Sequence, residues 1–165
     1  MIKLTEPTIA DKNLIYDLFV EGVNINVYQK KLTKDLNYLK AMANNMASCH
    51  SSIDYNTNRN VINYMCTLDD KNIGFITLAY DFEKEEIEIW YFSIDRKYQH
   101  QGYGKKYFKL ALEIIEKSKK SISVLVRTKN SEAMLAILKE QGFRQESINR
   151  QGFLCFHKNM NVILL

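Results

Sequence analysis

Apolar positions recur along the chain with two periods, helical and alternating, and their succession lays out an order of elements. The opening IKLTEP reads as a short strand, and TIADKNLIYDLFVEGV as an amphipathic helix with Thr8 as cap and Leu14, Leu18 and Phe19 on one face. A second helix is predicted over LTKDLNYLKAMANNMASCH, opened by Thr33, with Leu36, Leu39, Met42 and Met46 as its apolar stripe. After an Asn-rich stretch, NVINYMCTLDDKNIGFITLAY predicts two strands joined by the polar turn DDKN, since Asp and Asn favour turns by bonding their own backbone. EEIEIWYFSI is a further strand. A helix beginning near Gly104 carries Phe108, Ala111, Leu112 and Ile115 on one face and leaves Lys105, Lys106, Lys109, Glu113 and Glu116 to water. SISVLVRT follows as a strand, SEAMLAILKEQ as a helix stopped by Gly142, and FRQESI and GFLCFHK as a closing pair of strands. Antiparallel strands first, then strand, helix, strand, helix, strand, predict a mixed α/β sheet.

Composition narrows the class. At 165 residues with 46% hydrophobic and 25% charged, the chain fits one globular domain, or a domain with a small appendage. Its net charge of +4 is spread over 23 basic and 19 acidic residues, a mild bias that attracts anions and argues little for nucleic acid. The start MIKLTEPTIADK has no apolar core of signal-peptide length and no stretch reaches the length of a membrane span, so a soluble cytoplasmic protein is expected. Cys49, Cys66 and Cys155 are odd in number and lack zinc-site spacing, which predicts reduced structural thiols and no metal.

The chemistry concentrates in YQHQGYGKKYFKLAL. Lys105 and Lys106 stand in a helix's first turn, against the positive end of its dipole. Gly102 and Gly104, at alternate positions, let the backbone turn tightly and approach a ligand, leaving a fan of unpaired N–H groups at the helix start. Such a fan binds anions, and a phosphate or pyrophosphate would offset the lysines. Two glycines alone also fit a plain connecting turn; the spacing is neither a Walker loop nor a dinucleotide fingerprint.

The stretch IDRKYQHQGYGKKYF resembles the acetyl-CoA-binding signature of the GNAT N-acetyltransferases, a Gln or Arg followed at the third position by Gly and at the fifth by Gly or Ala: Gln99, Gly102 and Gly104 match in order. The likeness extends to the strand ending at Ile94, the later helix ending in Gly-Phe and the two opening helices. It implies one acetyltransferase domain over residues 1–160 with a tail at 161–165. The implied fold is α/β, with a mixed, mostly antiparallel sheet of six to seven strands, four flanking helices and a splayed parallel pair holding the cofactor. By the same resemblance, the backbone of Phe92, Ser93 and Ile94 bonds the pantetheine arm like an added strand. The loop Gln99, His100, Gln101, Gly102, Tyr103, Gly104 and Lys105 wraps the pyrophosphate, and Asn130 or Ser131 contacts the cofactor arm.

A protonated amine cannot attack a thioester, so the reaction needs a base. Glu88, among Ile87, Ile89 and Trp90, is a carboxylate whose burial would raise its pKa toward neutrality, and it also lies where the resemblance places a general base. Together with Glu83, Glu85 and Glu86 it is equally readable as a solvated acid on an exposed strand face. The chain departs from the family at Leu138, where many members carry a tyrosine that protonates the leaving thiolate; that role is either unnecessary here or filled from elsewhere, and Tyr98, Tyr103 and Tyr107 are candidates that read first as structural or cofactor-contacting residues.

The implied activity is transfer of an acetyl or longer acyl group from acetyl-CoA to a small-molecule or peptide amine. The segments EGVNINVYQKKL and HSSIDYNTNRN are expected to shape the acceptor site, and Glu83, Glu85 and Glu86 to favour a cationic amine. A non-catalytic acyl-CoA sensor and a basic nucleic-acid-binding module are the alternatives, with neither nucleic acid nor membrane expected as partner. The ending NMNVILL is readable as a last piece of strand or a homodimer contact.

Overall fold

The computed structural model describes residues 1–54, 57–127 and 131–159. A short strand, β1 (Ile2–Thr5), leads into helix α1 (Lys12–Asn24), whose inward face is Ile15, Leu18, Phe19, Gly22 and Val23. Helix α2 (Leu36–Ser48) starts later than the sequence predicts. Its cap is Asp35, whose side chain accepts from the Asn37 and Tyr38 N–H groups, while Thr33 closes a preceding 3₁₀ turn by donating to the Lys30 carbonyl. Its buried stripe is Leu39, Ala43, Met46 and Ala47, and Leu36 in the first turn stays half exposed.

The remaining elements are strands β2 (Ser51–Asp54), β3 (Arg59–Leu68), β4 (Lys71–Asp81) and β5 (Glu86–Ile94), helix α3 (Tyr103–Glu116), strand β6 (Ser121–Arg127), helix α4 (Glu132–Glu140), and strands β7 (Arg144–Ile148) and β8 (Phe153–Lys158). Among the described residues they make one sheet of eight strands, in the order β1-β3-β4-β5-β6-β8-β7 with β2 also paired to β3. The expectation of six to seven strands misses β2, which lies in the stretch HSSIDYNTNRN, to which the sequence pattern assigns no element. Among the described residues, only β5 and β6 pair in parallel. No helix is long and apolar enough to cross a membrane among the described residues.

Alternation along β4 assigns the two faces. Phe75 joins Met65 and the inward faces of α1 and α2, whereas Ile76 and Leu78 join Ile89, Ile122, Val124 and the buried face of α3, Phe108, Ala111, Leu112 and Ile115. The α3 stripe read from the sequence is thus the buried one, and its lysines and glutamates stay exposed.

Two irregularities open this sheet. Between Thr77↔Tyr91 and Leu78↔Ile89 the β4–β5 register shifts, leaving Trp90 as an extra residue in β5 and bending it. Parallel pairing of β5 with β6 runs from Glu86↔Ser121 to Ile89↔Val124 and stops there, although β5 continues to Ile94 and β6 to Arg127. Beyond the bulge β5 stays with β4, as far as Ile94↔Gly74, and β6 stays with β8, as far as Arg127↔Phe153. The strands therefore part, and β5 keeps a free edge. Gly74 permits the close approach of β4 there, since a Cβ on it would stand 2.2 Å from the Ser93 carbonyl oxygen. Gly74→Ala is accordingly expected to lower unfolding stability by about 1–3 kcal/mol. Denaturant titration checks this, and an unchanged midpoint would mean the strand end yields freely.

Candidate active site

The gap between the parted strands opens into a cleft of about 600 Å³. One wall is β5 from Glu88 to Ile94, the other Val124 to Arg127 of β6. The end of α1 and the segment after it, with Glu21, Gly22, Tyr28 and Lys31, close one side; the start of α3 and the inner turn of α4 close the other. Of the residues singled out by sequence, Glu88, Phe92, Ser93 and Ile94 line this cleft, as do Gln99, His100, Gly102, Gly104, Lys105 and Ser131. Gln101 and Tyr103 do not: the Gln101 amide donates to the Lys97 carbonyl at 2.8 Å, and Tyr103 packs edge-on against Tyr98. Asn130 lies outside the described residues.

The glycine loop has the geometry of an anion cradle. His100 and Gly102 both take left-handed backbone conformations, with φ of 59° and 79°, and Gly102 is the N-cap of α3. A glycine cap offers no side chain to the first-turn N–H groups, which stay available to a ligand. A Cβ at Gly102 would meet nothing within 4 Å, and one at Gly104 only the tip of Ile137 at 3.9 Å, so both glycines front open space. The loop is tied to the free strand edge by Gln99, whose amide donates to the Ile94 carbonyl at 2.7 Å. The first-turn lysines find partners within the protein. Lys105 Nζ lies 2.5 Å from the Glu140 carboxylate at the end of α4, and Lys106 stands over the Tyr103 ring. These residues fit a pyrophosphate and an extended thioester arm: an N–H fan at one end, an unpaired strand edge at the other.

Glu88 is buried, with a side chain 10% exposed, and is not a solvated surface acid. Its Oε2 is bonded by Arg59 Nη1, while Arg59 Nη2 reaches Asp81 Oδ2 at 2.9 Å, so one guanidinium from β3 spans two carboxylates on β4 and β5. Burial pushes the Glu88 carboxyl above its ordinary value, and the Arg59 hydrogen bond and charge only partly counter it. The neighbouring acids have other partners or lie open to water. Glu85 pairs with Lys120, Glu86 with His157, and Glu83 is exposed; none lines the cleft, whose carboxylates are Glu88 and the half-buried Glu21. The segment 21–32 does border the cleft as expected, but none of the described residues in 50–60 does.

Tyr28 escapes a reading of the sequence. Its ring is buried between Phe19 and Tyr91, over Gly22, where a Cβ would come within 2.4 Å of the ring. Its hydroxyl donates to the Phe92 carbonyl oxygen at 2.9 Å and is also hydrogen-bonded to Ser93 Oγ at 3.0 Å. Burial raises this phenol's pKa, so it stays protonated, a neutral donor at the free edge of β5. The only sequence signal is a glycine inside a helix six positions earlier. Leu138 is fully buried in the core with Phe108 and Phe143, and its neighbour Ile137 borders the cleft instead. Leu138→Tyr is therefore expected to destabilise the fold by about 1–3 kcal/mol through overpacking. A thermal scan at unchanged stability would show the site has spare room. Tyr107 is also fully buried in the core. Cys66 and Cys155 are buried, as structural thiols should be, whereas Cys49 is exposed.

A search of curated protein sequences found no match. Solved structures do match in fold. PaiA N-acetyltransferase from Thermoplasma acidophilum, in complex with coenzyme A, is 15% identical over 96% of this chain and 99% of its own, with a TM-score of 0.69. The ribosomal-protein-S18-alanine N-acetyltransferase of Escherichia coli is 16% identical over 100% and 99%, with a TM-score of 0.66. Aminoglycoside acetyltransferase AAC(6')-Ib, in complex with coenzyme A, is 12% identical over 96% and 95%, with a TM-score of 0.71. The family model described as Acetyltransferase (GNAT) family matches residues 30–143, most of the chain, including the bulged strand, the glycine loop and both helices that follow it. With that match, the parted β5 and β6 and the glycine-capped α3 have one common explanation: the chain belongs to the GNAT family of acetyltransferases, which take their acetyl group from acetyl-CoA.

Proposed function

We propose that the chain moves an acetyl group from acetyl-CoA to a primary amine by direct attack within a ternary complex. One observation carries this reading: Glu88 and the glycine-capped start of α3 border the same cleft, along the free edge of β5. Acetyl-CoA supplies the acetyl group as a thioester. The first-turn N–H groups after Gly102, with Gln99 holding the loop to Ile94, bind its pyrophosphate. The free edge of β5 from Phe92 to Ile94 orients the arm by strand-like hydrogen bonds and polarises the thioester carbonyl with a main-chain N–H. Ser131, buried beside the cleft, flanks the same arm.

Glu88 takes the proton of the attacking ammonium. The new N–C bond forms as the C–S bond breaks, the electron pair leaves on sulfur, and the nitrogen's second proton goes to the departing thiolate. A thiol of pKa about 8.5 departs as thiolate without much assistance, which makes a leucine at position 138 tolerable. No cysteine takes part, since Cys66 and Cys155 are buried and none borders the cleft. On the acceptor side the cleft offers Glu21, apolar Ile25 and Leu32, and the Trp90 and Tyr91 rings, a setting for a cationic group on an apolar stem. Two of the structural neighbours named above are acetyltransferases of ribosomal-protein-S18 alanine and of aminoglycosides.

A thiol-release assay with acetyl-CoA and pooled primary amines, followed by mass analysis of the products, tests the reading. Amine-dependent release with an acetylated product is expected. Tight CoA binding with no turnover over a broad panel would favour a sensor.

A further inference from the structure

The base proposed above is not alone in its pocket. Arg59 begins β3 and lies two strands away from Glu88, yet its guanidinium crosses β4 and bonds Glu88 with one nitrogen and Asp81 with the other. All three side chains are largely buried, with 19% of Arg59, 14% of Asp81 and 10% of Glu88 exposed. The guanidinium also lies 6.0 Å from the Trp90 ring centroid, the extra residue that bends β5 toward the cleft. A buried guanidinium shared between two carboxylates gives each of them half of a fork that could serve one. Glu88 thus shares one fixed cation with a second acid, Asp81.

We infer that Arg59 is a positioning residue that sets the protonation of Glu88: it holds the carboxylate toward the cleft and keeps it charged, and Asp81 limits how strongly it does so. The inference rests on the reading of Glu88 as the base. Removing the cation would leave a desolvated carboxylate beside Asp81 and Glu86, and the proton would be held more tightly. Removing Asp81 would give Glu88 the whole guanidinium and delete a neighbouring negative charge, shifting its titration the opposite way.

The other groups around Glu88 do not take over this role. On its own strand, Glu86 is engaged by His157 of β8, and Tyr91 is a half-buried phenol whose pKa desolvation pushes up to about 12. Lys84, in the turn between β4 and β5, is mostly exposed and pairs with Asp81 at 3.6 Å. From β6 the paired residue is Ser123, which carries no charge, and the exposed Glu146 of β7 lies near His157.

The test reads Glu88 directly. In protein carrying ¹³C-labelled glutamate, the Glu88 carboxyl is assigned by its loss in Glu88→Gln and titrated without substrate in the native chain, Arg59→Met, Arg59→Lys and Asp81→Asn. The midpoint should rise by about one pH unit or more in Arg59→Met, return toward native in Arg59→Lys and fall in Asp81→Asn. With acetyl-CoA and the pooled amines, the acidic limb of the rate profile should move in the same directions, so that on this limb Arg59→Met is about tenfold or more slower than the native chain at the same pH and recovers at higher pH. Should Arg59→Met fail to fold, a fall in Asp81→Asn with Arg59→Lys near the native midpoint still decides the matter. A Glu88 midpoint that stays put in folded variants overturns the inference. A midpoint that moves while the rate profile does not supports Arg59's hold on Glu88 and overturns the base reading instead.

Discussion

Glu88→Gln should lower kcat by about 10²-fold or more at neutral pH, the ordinary worth of a positioned general base. The substitution keeps the side chain's size and leaves Arg59 a carbonyl oxygen to bond, so CoA affinity and folding should hardly change. The pH profile carries the sign. A base works in its ionised form, so the native rate rises as Glu88 loses its proton. Because burial lifts that carboxyl above the ordinary glutamate range, the acidic limb should lie above that range too. In the glutamine variant this limb should vanish. A variant with full activity and an unaltered profile would return Glu88 to a purely structural role, as one of two acids neutralised by a guanidinium.

Gly102→Val and Gly104→Val should each weaken CoA binding, by about tenfold to a hundredfold if one or two charge-assisted backbone contacts to the pyrophosphate are lost. The two variants probe different things. Gly102 sits at a φ of 79°, which disfavours any L side chain, so its replacement also strains the cap of α3. Gly104 is helical, and a Cβ there meets only Ile137 at 3.9 Å, so the protein itself tolerates it. Loss of affinity in Gly104→Val, with stability little changed, therefore isolates the close approach of the ligand. Calorimetry with unchanged CoA affinity in both would remove the pyrophosphate from this loop.

Much of this architecture is written locally. The α3 stripe of Phe108, Ala111, Leu112 and Ile115 and the stop at Gly142 follow from helical spacing and from a left-handed glycine, and both stand in the fold. The glycine loop was legible because conformational freedom and dipole both leave marks in sequence. Cap choice was less so: Thr33 and Asp35 are both good caps, and the 3₁₀ turn that engages Thr33 decides between them. What stayed hidden depends on register. Arg59 meets Asp81 and Glu88 only because three strands align with a one-residue bulge at Trp90, and a shift of one residue would turn Glu88 to the opposite face. Tyr28 reaches Phe92 and Ser93 through a packing of rings over Gly22 that no periodicity announces. The acids at 83 to 86 mislead for the same reason, since cross-strand partners such as Lys120 and His157 decide where they face.

Amide hydrogen exchange with and without saturating CoA reads the donor seat itself, since that seat is defined by main-chain groups. Slowed exchange is expected at Phe92 to Ile94, on the free edge of β5, and at Gly102 to Lys105, at the start of α3. The exposed edge strand β7, Arg144–Ile148, should be unaffected. Protection confined to other strands, or none at all in these two segments while CoA is bound, would contradict this placement of the donor seat.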